Sequence, residues 1–188
     1  MQKIIKNMWL YGLIVGVLIF IGAGLYWYYN AEARVVVKDF VETRDTQFIL
    51  DIFKDDWYWL VSEGSVDFSP EHMLKYRTAT TYSNEPEQLI IKVLYKGNEP
   101  VGFSAYYFET FYRAVIRFLA IRRKFRSQGY GSLLMNYIVN DLTARGATKI
   151  KLITRSINYP AQKVYEKAGF IKVFEEDGFV YYEKILND

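Results

Sequence analysis

The sequence has no cysteine. That excludes a disulfide framework, a thiolate metal site and a cysteine nucleophile, and it is compatible with a reducing compartment. There is a single histidine, His72, so no multi-histidine metal centre can be built and no metal is expected. It sits in Ser69-Pro70-Glu71-His72, a helix start in which His72 is filler. Prolines number four, and neither an internal repeat nor a low-complexity tract appears. Strong charge of either sign is also missing. The net charge of +3 is mild, and one loop accounts for the obvious basic run, so no nucleic-acid partner is expected.

What is present is apolar. With 188 residues, 51% hydrophobic and 24% charged, the chain has room for one core-bearing domain and a membrane segment. Residues 8–29 carry no charge and as a helix would span about 33 Å, enough to cross a bilayer. Trp9 and Tyr11 at one end and Tyr26, Trp27, Tyr28 and Tyr29 at the other resemble interfacial aromatic belts. Gly12 and Gly16 form a G-x-x-x-G face that would support pairing with a second copy, or are simply tolerated in an apolar helix. The competing reading is a cleaved secretory signal, with Lys3 and Lys6 ahead of the apolar run and Ala31-Glu32-Ala33 as its A-x-A site. The run exceeds the usual signal core of about 7 to 15 residues, which favours an uncleaved anchor. The expected organisation is a transmembrane helix over 8–29, a linker over 30–34 and a domain over 35–188.

Within that domain, Val35, Val36 and Val37 suggest a first strand. Thr43 or Asp45 would then cap a helix with Phe48, Ile49, Ile52 and Phe53 on one face. Trp57, Tyr58 and Trp59 follow, as core or as a substrate wall. A short helix opens at Ser69-Pro70, and residues 82–87 read as a loop. Strands are expected over 88–96, 101–109 and 113–121, an antiparallel meander turning at Gly97-Asn98-Glu99-Pro100 and near Thr110. A helix over 129–145 closes at Gly146. A strand over 149–154 should lie parallel to the one ending at Ile121, because a helix separates them. A helix from Pro160 to Gly169 and strands over 170–174 and 179–185 complete the chain.

The centre of this order is the stretch from Arg113 to Arg145. An apolar strand runs into a basic loop (Arg122, Arg123, Lys124, Arg126), then Gly129 and Gly131, then a helix. Glycines that permit close backbone approach, unpaired N–H groups at a helix start and flanking cations make a phosphate cradle. The bland alternative is a solvated turn whose glycines serve geometry alone. The spacing matches neither G-x-x-x-x-G-K-[ST] nor G-x-G-x-x-G, since no Lys-Ser or Lys-Thr follows and residue 134 is Leu.

Arg126-x-x-Gly129-x-Gly131 resembles the acyl-CoA-binding motif of the GNAT superfamily of N-acyltransferases. A second stretch resembles the other half of that signature: Asn158-Tyr159-Pro160-Ala161, then Tyr165-Glu166-Lys167-Ala168-Gly169-Phe170. The resemblance implies an α/β (α+β) fold with a mixed sheet, an antiparallel meander followed by a parallel strand pair, and flanking helices. It implies acetyl-CoA as cosubstrate and an amine as acceptor. By the same resemblance, the backbone at Phe125, Arg126, Ser127, Gln128, Gly129, Tyr130 and Gly131, with the Arg126 side chain, would hold the pyrophosphate. The main chain at Leu119 and Ile121 would pair with the pantetheine arm, Asn158 would flank the thiol, and Tyr165 would protonate the departing thiolate. Packing is the alternative role for Tyr165, and helix capping for Asn158.

The sequence departs from the family at two points. Arg123 stands where a proline is common, and the strand before the cradle carries Arg113 and Arg117 rather than a carboxylate that could deprotonate the acceptor. Glu109 is the nearest candidate base; a water relay, Tyr106 or Tyr107 are alternatives. Strand alternation places Arg113 and Arg117 on one face, to contact an acidic acceptor or solvent. The leading expectation is a membrane-anchored N-acetyltransferase. Its rivals are a tethered acyl-CoA-binding module without catalysis, and an acyltransferase using a longer chain or lipid-linked acceptor. Acetyl-CoA does not cross a bilayer unaided, so the domain is expected to face the cytoplasm; the flanking charges give only a slight bias.

Overall fold

A computed structural model describes residues 20, 34–61, 68–78 and 89–186. The expected membrane helix, apart from Phe20, the linker ahead of Arg34 and the loop over 82–87 lie outside the described residues. Among the described residues, no helix is long and apolar enough to cross a membrane.

The alternating apolar runs become strands and the periodic ones helices. Val35–Asp39 (β1), Ile90–Lys96 (β2), Glu99–Thr110 (β3), Arg113–Ile121 (β4), Lys149–Arg155 (β5), Ile171–Glu176 (β6) and Phe179–Ile185 (β7) form one seven-stranded sheet in the order β1-β2-β3-β4-β5-β7-β6. Its helices are Glu42–Leu60 (α1), Pro70–Tyr76 (α2), Tyr130–Ala144 (α3) and Tyr159–Lys167 (α4). Only β4 and β5 pair in parallel, because α3 is the crossover between them; the other neighbours are antiparallel. This is the expected mixed architecture.

The sheet separates two cores. On one side, Leu134, Met135, Ile138 and Leu142 of α3 pack on Ala114, Ile116, Ile150 and Leu152. On the other, Phe48, Ile49, Ile52 and Phe53 of α1 pack on Phe103, Ala105, Phe118 and Ala120. Each leucine, isoleucine, methionine and phenylalanine among them contributes about 1.5–3 kcal/mol through removal from water.

Several boundaries differ from the sequence reading. Helix α1 begins after Val41, and neither Thr43 nor Asp45 is its cap. Asp45 instead reaches back from within the helix, its carboxylate accepting the Val41 N–H at 2.8 Å, and its charge suits the positive end of the helix. Burial alone would raise the Asp45 carboxyl. Hydrogen bonds from Arg44, Tyr95 and the Val41 N–H outweigh it and hold the group below its ordinary range. Helix α4 starts one residue early, placing Pro160 inside its first turn.

The most consequential difference is a bulge. Ala105 pairs with Phe118 and Tyr106 with Ile116, which leaves Arg117 without a partner in β3. The extra residue reverses the facing of everything after it. Ile116 lies in the α3 core and Phe118, two positions on, in the α1 core. The parallel ladder to β5 ends at the same point, its last rung being Ile116↔Leu152. Beyond it β4 and β5 continue without a rung between them, and the sheet opens into a wedge.

Candidate active site

The wedge is a cavity of about 660 Å³. Its walls are the second half of β4, the loop and first turn of α3, Ile153 and Thr154 of β5, the inner face of α4 and the end of α1. The sequence assigned Leu119, Ile121, Phe125, Arg126, Ser127, Gly129, Gly131, Asn158 and Tyr165 to one site, and all nine line this cavity.

Along its floor, the loop after β4 folds as a short 3-10 turn over Arg123–Phe125. That turn uses two of the N–H groups expected to be free: Phe125 donates to the Arg122 carbonyl at 2.9 Å and Arg126 to that of Arg123 at 3.2 Å. Phe125 is itself nearly buried, its ring edge-on to Tyr130. Ser127 and Gly129 then take left-handed backbone conformations (φ 60° and 85°). From Ser127 through Ser132, no N–H finds a main-chain acceptor among the described residues. A run of unpaired donors at a helix start is an anion site by its geometry. Gln128 is exposed and turns back to the Lys124 carbonyl at 3.0 Å, and Tyr130 packs against the α3 core.

Arg126 is held on two sides. Its Nε donates to the Ile121 carbonyl at 2.9 Å, and its other arm is ion-paired to Asp56. Asp56 also accepts from Arg123 Nε at 3.2 Å. This carboxylate is 4% exposed and belongs to α1, at a residue with non-helical torsions (φ −127°, ψ 23°) inside the helix. Sequence reasoning missed Asp56, since nothing in its neighbourhood marks it as a partner of the loop. Arg123, the departure from the family pattern, is one of the two residues that bind it.

Opposite the floor, Tyr165 is buried with its ring against Phe170 and Tyr182, centroids 6.4 and 5.8 Å away. Burial pushes its phenol up to about 12, although a hydrogen bond with Thr154 pulls the other way. Asn158 stands at the start of α4 without capping it; its amide donates to the Thr154 hydroxyl at 3.3 Å. Thr154, which lines the cavity beside both residues that the second motif contributes, was missed too.

The base candidates do not join them. Glu109 is ion-paired to Arg113 at 2.6 Å and is absent from the cavity wall. Tyr106 is fully buried, its hydroxyl bonded to Asp141; burial first, then that carboxylate, hold it well above the usual phenol range. Tyr107 packs against the α1 core, off the cavity wall. Arg113 is taken by Glu109, whereas Arg117 stands at the bulge and lines the cavity. Trp57, Tyr58 and Trp59 are each more than 40% exposed, outside the core, and of the three Trp59 lines the mouth.

Residues 46–170 match the family model described as the acetyltransferase (GNAT) family. The chain belongs to that family. A [ribosomal protein bS18]-alanine N-acetyltransferase of Haemophilus ducreyi is 38% identical over 55 residues, 29% of this chain, and the match spans only 38% of that relative's length. Among solved structures, a paia N-acetyltransferase from Thermoplasma acidophilum in complex with coenzyme A superposes with a TM-score of 0.65 at 15% identity, covering 81% of this chain and 99% of that one. The ribosomal-protein-S18-alanine N-acetyltransferase of Escherichia coli gives 0.59 at 17% identity over 80% and 92%. At these identities the likeness shows the GNAT fold.

Proposed function

We propose that this GNAT chain transfers the acetyl group of acetyl-CoA to a primary amine by direct attack. The observation that carries the reading is that Ser127, Gly129, Gly131 and Ser132, from the run of open donors, and Tyr165 line one cavity, at the point where β4 and β5 part. The donors from Ser127, Gln128, Gly129, Tyr130 and Gly131 bind the pyrophosphate; the committed N–H groups of Phe125 and Arg126 leave the set, and Ser132 joins it. The unpaired edge of β4 at Leu119 and Ile121 receives the pantetheine arm as an added strand. The amine nitrogen attacks the thioester carbonyl, the C–S bond breaks, and the thiolate takes its proton from Tyr165. A phenol held at about 12 stays protonated at neutral pH and is available as that acid. With Glu109 held by Arg113, the proton leaving the amine passes to water in the cavity. Asn158 and Thr154 fix the polar end of α4 beside the thiol.

Residues 8–29 tether the domain over 35–188 to a membrane in this reading, with the domain on the cytoplasmic side. A mass-based screen of amines, peptides and polyamines with acetyl-CoA tests the activity directly. Acetylated product is expected. CoA binding without transfer to any amine would instead favour the tethered acyl-CoA-binding module.

A further inference from the structure

Among the described residues, three charged side chains line the cavity: Asp56, Arg117 and Arg126. The first and last neutralise each other. Arg117 has no carboxylate partner among the described residues, yet it stands at the bulge where the strands part. Its guanidinium lies 5.5 Å from the Phe118 ring centroid. Phe118 belongs to the α1 core, so Arg117 emerges on the α1 side of the sheet, opposite the core to which Tyr165 and Val164 belong.

The same mouth has apolar walls. Trp59 and Leu60 border it from α1, and Ile153 borders it from β5, half exposed. Arg155 fixes the α1 border, donating to the carbonyls of Tyr58 at 2.7 Å and Val61 at 3.3 Å and stacking on the Tyr58 ring. Arg155 is thus engaged, and among the described residues Arg117 is left as the mouth's cation.

Resting on the acetyl-transfer reading, we propose that Arg117 selects the acceptor: a primary amine that carries a carboxylate beside the amine and an apolar side chain, the chemistry of a free apolar α-amino acid. The guanidinium binds the carboxylate in a charge-assisted pair, the side chain lies against Trp59 and Ile153, and the amine points into the wedge. Polyamines are disfavoured because their second cation meets Arg117 with no anion to receive it.

The test compares phenylalanine, phenylethylamine and spermidine, with rates corrected for the free-amine fraction. Phenylalanine should exceed phenylethylamine in kcat/KM by about 10- to 100-fold, the range of a hydrogen bond to a charged group. Arg117→Gln should bring that ratio to about one, and Arg117→Lys should restore part of it. Binding to the CoA-loaded protein, followed by calorimetry, reads the same preference without turnover. Carboxylate-dependent binding that Arg117→Gln removes would uphold the acceptor assignment even if no amine were acetylated, a result that sinks only the catalytic reading. Equal or better use of phenylethylamine or spermidine, or a ratio unmoved by Arg117→Gln, overturns it.

Discussion

Asp56 and Arg126, 70 positions apart, are joined by an ion pair that ties the kinked end of α1 to the loop beneath the cavity. Arg123 approaches the same carboxylate. One buried charge thus orients two cations of a loop whose N–H groups from Ser127 onward find no main-chain acceptor among the described residues. The end of α1 and the loop beneath the cavity are mechanically connected through it.

Asp56→Asn keeps the shape and removes the charge. The two arginine side chains are 64% and 42% exposed, so they regain water, and the loss should stay near 1–2 kcal/mol. For a domain of this size that is a fall in Tm of about 2–8 °C. Thermal unfolding measures it, and an unchanged Tm would mean that the pair adds nothing to the fold.

Gly129 takes φ 85°, and a Cβ there would meet nothing within 4 Å. Gly129→Ala should therefore fold with a penalty of about 1–2 kcal/mol from the left-handed backbone alone. Gly129→Glu adds a carboxylate beside the open N–H run and should abolish CoA binding in calorimetry. Retained affinity in the Glu variant would place the pyrophosphate elsewhere.

Tyr165→Phe should keep CoA affinity and lose about 10²- to 10⁴-fold in turnover, the usual worth of a general acid. The acid form must be present for proton donation, and burial places the phenol at about 12. The pH profile of kcat/KM should then rise as the amine loses its proton and show no falling limb below about pH 10. Wild-type turnover in the Phe variant, with chemistry rate-limiting, reassigns Tyr165 to packing.

Three phenols, Tyr95, Tyr165 and Tyr182, are pushed up to about 12, burial being the first cause in each. Between pH 10 and 12 the unfolded chain releases these protons while the folded chain keeps them. Their contribution is fully present below about pH 10 and is lost as pH rises through 12. Denaturant midpoints should fall steeply across that interval. Tyr182→Phe, which loses the bond to Glu166, should flatten the fall; an identical slope would remove Tyr182 from the set.

Local periodicity carried most of the fold. The phase of Leu134, Ile138 and Leu142 marked the α3 face that is buried, and Gly146 stops that helix in a left-handed conformation (φ 90°). The cradle and the Asn158-to-Phe170 stretch were legible because each motif is contiguous. The Arg117 bulge was not, since it arises from register between β3 and β4 and no glycine or proline marks it. Asp56 was silent for a related reason: its partners are set by packing of α1 on the sheet, and a neighbouring Asp55 offers the same chemistry to any sequence rule. The Glu109–Arg113 pair closes across the β3–β4 turn, and Glu109, the carboxylate nearest to where the family resemblance calls for one, stays off the cavity wall.

Residues 8–29 carry no charge; as a helix their length of about 33 Å would match the bilayer core, and aromatic residues at both ends suit its interfaces. β1 begins at Val35, so an anchor would lead into the domain with almost no intervening chain and hold it against the membrane surface. The full chain should sediment with membranes and resist extraction by high salt and carbonate, whereas a chain starting at Arg34 should stay in the supernatant. Orientation follows from the donor: a domain that uses acetyl-CoA belongs where that polyanion is made, because it does not cross the bilayer unaided. A reporter active only outside the cytoplasm, fused to Asp188, should remain silent while an N-terminal blot still detects Met1. An active reporter on an uncleaved chain would reverse the orientation and remove acetyl-CoA as the donor in the cell; loss of the segment from the mature chain would establish the cleaved signal at Ala31-Glu32-Ala33 instead.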